Sequence, residues 1–187
     1  MSKPSDPTMS DKGRKLGMQE LERVSVEEFH QTEKMPVIVV LDDVRSLNNI
    51  GSVFRTSDAF AVEKIILCGI TAQPPHREIE KTALGATESV DWEYSRSCVD
   101  TVKSLKSEAV RVIGVEQVQG AVSLEEFQLG VQRIAFVFGN EVKGVAQEVL
   151  DVCDDFVEIP QLGTKHSLNI SVSAGVVLWE AFRQFRA

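Results

Sequence analysis

The residues best suited to chemistry in this 187-residue chain fall in short polar stretches, each placed just after a hydrophobic one. The densest is Ile159-Pro160-Gln161-Leu162-Gly163-Thr164-Lys165-His166-Ser167-Leu168-Asn169-Ile170-Ser171. Phe156, Val157 and Ile159 predict a strand that Pro160 ends, because proline offers no ladder N–H. Gly163 is expected to carry the loop through a conformation closed to other residues. The apolar run Val172, Ala174, Val176, Val177, Leu178 and Ala181 then predicts a helix over about residues 167–185. Ser167 and Asn169 therefore stand where a polar loop meets a helix N-terminus, which presents backbone N–H groups and short polar side chains to a ligand. Taken alone, the stretch is also readable as a loop with a helix cap. Two further stretches tip the balance.

The elements that must position these residues can be read in order. Val37-Ile38-Val39-Val40-Leu41 is a continuous β-branched run, the mark of a strand buried on both faces in a parallel sheet. After Asp42-Asp43, the stretch Ser46-Leu47-Asn48-Asn49-Ile50-Gly51-Ser52-Val53-Phe54-Arg55-Thr56 opens a helix with asparagine at the cap position. Ile50, Val53, Phe54 and Ser57 share one helical face, and Asn48, Ser52 and Arg55 the other. Arg55 is thus a poor core residue and a candidate to face solvent or a ligand. Further strands are predicted at 64–68, 110–115, 133–138 and 156–159, with helices at 98–108 and 145–153 and a short one after Pro74-Pro75-His76-Arg77. Ser25 followed by Glu28 reads as a capping box opening a short helix. Strands alternating with helices imply an α/β fold: a mostly parallel sheet flanked by helices. Ligands lie off the carboxyl ends of such sheets, and Asn49, Gly139, Glu141, Ser167 and Asn169 all follow strand ends.

Composition excludes several classes. Hydrophobic residues make up 43% and charged residues 26%, an ordinary globular balance. No apolar run reaches the roughly 18–20 residues of a membrane span, and residues 1–15 lack the apolar core of a secretion signal, so a cytoplasmic protein is expected. Cys68, Cys98 and Cys153 are scattered, as are His30, His76 and His166, which argues against a disulfide framework and against a metal site. A net charge of −8 argues against nucleic-acid binding over the whole surface. Local basic patches remain, with Lys12, Arg14 and Lys15 near the N-terminus and Arg45, Arg55 and Lys165 beside the polar stretches. Gly139-Asn140-Glu141-Val142-Lys143-Gly144 is not a phosphate-cradling loop, because Lys143 precedes the second glycine and Val145 follows it. No G-x-G-x-x-G follows a strand, and no G-x-S-x-G elbow supports a serine hydrolase.

Three stretches together resemble the SpoU-like (TrmH-type) branch of the SPOUT superfamily of RNA 2′-O-ribose methyltransferases. They are Asn49-x-Gly51-x-x-x-Arg55-Thr56, Phe138-Gly139-Asn140-Glu141-x-x-Gly144, and Ile159-Pro160-x-x-Gly163-x-x-x-Ser167-Leu168-Asn169-Ile170-Ser171. Leu84-Gly85-Ala86 and Glu88 also suit the family. The resemblance implies an N-terminal arm and short helix over residues 1–34 and a methyltransferase domain over residues 35–187. It further implies a C-terminal trefoil knot, a homodimer, and S-adenosyl-L-methionine as cofactor, with tRNA or rRNA as substrate. By that resemblance Val115, Glu116, Phe138, Gly139, Asn140, Ile159, Gly163, Ser167 and Leu168 hold the cofactor. Arg55, Asn49, Glu141, Ser167 and Asn169 form the catalytic set, and Lys12, Arg14, Lys15, Arg45, Arg55 and Lys165 are the RNA contacts. Because arginine stays protonated in proteins, the expected role of Arg55 is electrostatic rather than basic. The competing expectation is a noncatalytic RNA-binding or ribosome-assembly factor that keeps the fold.

Overall fold

The computed structural model describes residues 13–17, 20, 24–164 and 167–186. Its centre is β1 (Met35–Asp42), the foreseen β-branched run. Val37, Val39 and Leu41 enter one hydrophobic core, and Ile38 and Val40 enter a second on the opposite face. This is the two-sided burial that makes a parallel strand read as a continuous apolar run. Pro36, which cannot donate to a ladder, sits where the register with the next strand shifts, between Met35 and Ile38.

The other strands are β2 (Val62–Cys68), β3 (Trp92–Ser95), β4 (Arg111–Val115), β5 (Val122–Ser123), β6 (Ile134–Phe138) and β7 (Asp155–Glu158). All pair in parallel in one seven-stranded sheet of order β3-β2-β1-β6-β4-β7-β5. Chain order therefore reverses direction at β1, where β2 lies on one side and β6 on the other. The later strand β7 enters between β4 and β5, which are already joined by residues 116–121.

The helices are α1 (Val26–Gln31), α2 (Leu47–Ala59), α3 (Arg77–Ala83), α4 (Ala86–Ser89), α5 (Cys98–Ser107), α6 (Gln147–Leu150) and α7 (Ile170–Phe185). The first core receives α2, α3, α4 and α7, while α5 and α6 cover the second. The capping box on α1 forms as expected. Three sequence expectations are corrected. Ser46, not an asparagine, caps α2, its hydroxyl accepting the Asn49 N–H at 3.3 Å. The helix expected over 145–153 shrinks to α6, because Ala146 is extended (φ −61°, ψ 140°) and the chain after Leu150 tightens into turns in which the Val152 and Cys153 N–H groups bond the Val149 and Leu150 carbonyls. The last helix begins at Ile170, because Asn169 caps it, and Ser167 is left in the preceding loop. The short strands β3 and β5 escaped sequence reading: β3 is polar and half-exposed at one edge, and β5 has two residues.

Packing of α2 on α3 depends on Gly51. A Cβ there would stand 2.1 Å from Thr82 Oγ1 and 2.2 Å from the Ile79 carbonyl oxygen, and the latter is backbone that cannot swing aside. Gly51→Ala is expected to destabilise the fold by about 1–3 kcal/mol through overpacking, read as a melting temperature lowered by roughly 2–12 °C in a domain of this size. An unchanged melting curve would show that α3 shifts freely.

Candidate active site

The strand ends build the site. A cavity of about 490 Å3 opens off the carboxyl ends of β4, β6 and β7, a size typical of small-ligand pockets. Val115, Glu116 and Gln117 come from the end of β4, and Phe138 through Gly144 from the end of β6. Val157, Glu158, Ile159 and Gln161 come from β7 and beyond, and Ser167, Leu168, Asn169, Ile170 and Ser173 from the loop and first turn of α7.

The loop after β6 folds back on itself. Asn140 and Gly144 exchange both backbone hydrogen bonds, at 2.9 and 2.8 Å, and the Asn140 Oδ1 accepts the Val142 and Lys143 N–H groups. A Cβ on Gly139 would lie 2.0 Å from the Val145 nitrogen, and one on Gly144 would lie 2.1 Å from a Glu116 oxygen. Both positions thus require glycine for close approach, and Gly144 also has φ +69°. Asn140 Nδ2 donates to the Asp43 carbonyl at 2.7 Å, which binds this loop to the end of β1.

Glu141 ties the loop to the next element. Its carboxylate accepts the backbone N–H groups of Arg45 (3.0 Å) and Ser46 (2.9 Å) and the Asn49 side-chain amide (3.2 Å). Asn49 Oδ1 in turn accepts Asn169 Nδ2 at 3.1 Å, while Asn169 Oδ1 accepts the Ser171 N–H at 2.9 Å. One chain of hydrogen bonds therefore links the N-termini of α2 and α7 through Asn49, Asn169 and Glu141. Partial burial pushes the Glu141 carboxyl up, but the Arg45 and Ser46 N–H groups and the Asn49 amide outweigh it, and the net shift is downward.

Of the sequence-predicted catalytic set, Glu141, Ser167 and Asn169 line the cavity, and Asn49 joins them by hydrogen bonds. Arg55 does not line it. It lies six residues along α2 from Asn49, about 9 Å of helix axis, exposed in a shallower depression with Ser52, Thr56, Ala59, Phe60, Lys81 and Thr82. Of the expected cofactor residues, Val115, Glu116, Phe138, Gly139, Asn140, Ile159, Ser167 and Leu168 all line the cavity. Gly163 does not, and it is not among the glycines at positive φ. Open space surrounds its Cβ position, so this turn does not depend on glycine geometry. Gln117, Glu158 and Gln161 were missed, although each follows or ends a strand that the sequence revealed. Among the expected RNA contacts, Arg45 and Lys15 are exposed, and Arg14 pairs with Glu20 at 2.7 Å. Lys12 and Lys165 lie outside the described residues. Among the described residues no group of three or more His, Cys, Asp or Glu side chains could hold a metal ion, and all three cysteines are free. No described helix is long and apolar enough to cross a membrane.

The parallel sheet carries its cavity at the strand ends, where the second and third motifs meet and Asn49 of the first joins them by hydrogen bonds. The family model described as "SpoU rRNA Methylase family" matches residues 36–179, and the chain belongs to that family. It is 34% identical over 149 residues to the 23S rRNA (guanosine-2′-O-)-methyltransferase RlmB of Neisseria meningitidis, covering 80% of this chain and 59% of that protein. Among solved structures, the A. aeolicus TrmH/SpoU tRNA modifying enzyme superposes with a TM-score of 0.77 at 24% identity, over 86% of this chain and 82% of that one. The AdoMet-bound rRNA methyltransferase from Sinorhizobium meliloti gives 0.75 at 26% identity, over 83% and 59%. The chain spans about 60% of the length of the curated relatives it matches.

The Glu141 network predicts a pH response. A carboxyl whose folded pKa lies below its unfolded value adds stability that is full above the unfolded pKa and is lost as pH falls through the folded one. Glu141→Gln is therefore expected to cost about 1–2 kcal/mol at pH 7, after allowance for its exposure. The gap to the wild type should begin to narrow as pH falls below the ordinary glutamate value of about 4.3 and go on closing as pH passes through the depressed folded one. Denaturant unfolding at pH 7 and pH 3.5 checks this. An equal deficit at both would show that charge is not the cause.

Proposed function

We propose that this chain is an S-adenosyl-L-methionine-dependent RNA methyltransferase that methylates a ribose 2′-hydroxyl of tRNA or rRNA. Residues 35–187 would form the methyltransferase domain with its C-terminal trefoil knot, and residues 1–34 an arm and short helix, in a cytoplasmic enzyme. The observation that carries the proposal is the meeting of Glu141, Asn49, Asn169 and Ser167 at one cavity off the strand ends. The cavity suits the cofactor in size, and its apolar wall of Val115, Phe138, Ile159, Leu168 and Ile170 suits a purine. Both the relative in Neisseria and the Sinorhizobium structure are named for rRNA methylation.

When bound, S-adenosyl-L-methionine supplies an electrophilic methyl group on a sulfonium. The chain's task is to place a ribose hydroxyl in line with that methyl group and to ease loss of the hydroxyl proton. Orientation by fixed groups removes much of the entropic barrier. Asn49 and Asn169 are held by each other and by Glu141, so the site needs little rearrangement when substrate arrives. The guanidinium of Arg55, always charged, would hold the neighbouring phosphate and stabilise negative charge developing on the 2′-oxygen.

Arg55 belongs to this chemistry through a second copy of the chain. On α7, Val172, Val176 and Trp179 form an exposed apolar stripe, and Leu168 at the cavity wall continues it. The far end of the stripe reaches Phe60, whose ring lies 6.1 Å from that of Trp179 and lines the Arg55 depression. In a two-fold pairing the same surface meets itself in opposite directions. The cavity end of one stripe then faces the Arg55 end of the other, so a homodimer would supply Arg55 to its mate.

Two measurements test the proposal. Arg55→Ala is expected to lower methyl transfer to RNA by about 100–1000-fold while cofactor binding, followed by calorimetry, persists; near-normal turnover would remove Arg55 from the mechanism. Val176→Asp is expected to convert a dimer to monomers by light scattering and to abolish transfer. A wild-type protein that is monomeric at micromolar concentration and still active would end the dimer argument. Absence of cofactor binding at millimolar concentration would favour the noncatalytic RNA-binding reading.

A further inference from the structure

We infer that Glu116 makes the cavity prefer a cationic, sulfonium-bearing ligand to the uncharged thioether left after methyl transfer. The inference rests on the cofactor proposed above. The charged residues in the cavity wall are Glu116, Glu141, Glu158 and Lys143. They are not equivalent. Glu141 is spent on the N-terminus of α2, where three donors and the positive end of the helix meet its charge. Lys143 is exposed at the loop tip, and Glu158 has no side-chain hydrogen bond among the described residues.

Glu116 is the carboxylate fixed in place. Its Oε2 accepts the Val145 N–H at 3.0 Å, and its Oε1 accepts the N–H of Gln117 at 3.0 Å. It is backed by Gly144, whose lack of a side chain is what admits the carboxylate. It therefore stands at the junction of the loops after β4 and β6, held by backbone from both. Each carboxylate oxygen has a second acceptor position, so these bonds leave capacity for a ligand. A charge held this way does not reorganise when a ligand arrives, so its full interaction is available to a cation in the cavity.

The ligand before and after transfer differs by one methyl group and one positive charge. Fixed carboxylates act on that charge, whereas the apolar wall contacts both forms alike. The loss of charge in the reaction thus weakens the hold on the product, which favours its exchange for fresh cofactor. At a half-exposed site, with solvent screening, the effect should be about 3–10-fold in relative affinity at low salt.

The test is calorimetric titration of the full chain with three ligands of one shape. S-adenosylmethionine and sinefungin carry a positive charge at the reacting centre, and S-adenosylhomocysteine does not. Wild-type protein should bind the two cations about 3–10-fold more tightly than the thioether, with the preference shrinking as salt rises toward about 0.5 M. Glu116→Gln should reduce the affinity for both cations and leave the thioether within about twofold, whereas Glu116→Asp should restore part of the preference. Equal weakening of all three ligands by Glu116→Gln would make Glu116 a purely structural brace and overturn the inference, as would a wild-type preference insensitive to salt. A wild type that binds none of the three would instead overturn the proposed cofactor, and this inference with it.

Discussion

The site depends on a single carboxylate bridge. Glu141, at the end of one strand's loop, accepts two backbone N–H groups at the start of α2 and the amide of Asn49. Helix N-termini expose unsatisfied donors and carry partial positive charge, so an anion there satisfies both needs at once. The arrangement joins elements 92–96 residues apart in sequence. Asn49 then passes orientation to Asn169, which caps α7. The bridge adds to the Asn140–Asp43 bond and to the packing of α2 on α7, and it is the contact that aims the two helix starts at the loop between them.

A second layer of polar contacts supports the bridge from within. Asp42, buried at the end of β1, accepts the Ala146 N–H at 3.2 Å, and burial pushes its carboxyl up against the pull of that bond. Thr71 accepts the Val44 N–H and donates to the Leu41 carbonyl, and Asp43 Oδ1 accepts the Ile70 N–H. The polypeptide just beyond β1 is thus pinned from both of its neighbours. Buried polar groups satisfied in this way rigidify their surroundings. The cavity inherits that rigidity because its walls are the immediate continuations of the same strands.

An exposed apolar surface runs from the cavity along α7. Leu168 both lines the cavity and begins the apolar stripe that ends at Trp179, beside the aromatic cluster of Phe60 and Phe182. Arg55 sits at the far end of that stripe rather than at the cavity in its own chain. The motif that contains both Asn49 and Arg55 is thereby divided. Asn49 hydrogen-bonds into the network beside the cavity, while Arg55, six residues on, lies exposed in the depression lined by Phe60.

Local chemistry alone made the central parallel strand legible, since the run from Val37 to Leu41 can be buried only on both faces. It also revealed the buried face of α2 through Ile50, Val53, Phe54 and Ser57, the loops following each major strand, and Gly139, Glu141, Ser167 and Asn169 of the cavity wall, whereas Val115, Glu116 and Leu168 were expected only from the family resemblance. Helix starts were less legible, because tertiary contacts set the backbone there: Val145 and Ala146 donate to the carboxylates of Glu116 and Asp42, Ala146 stays extended, and α6 begins only at Gln147. The edge strands β3 and β5 were invisible because pairing, not apolar pattern, makes them strands. The insertion of β7 between β4 and β5 was decided by tertiary structure alone. A periodic pattern specifies which face of an element is buried. It carries no information on which distant backbone will close against that face.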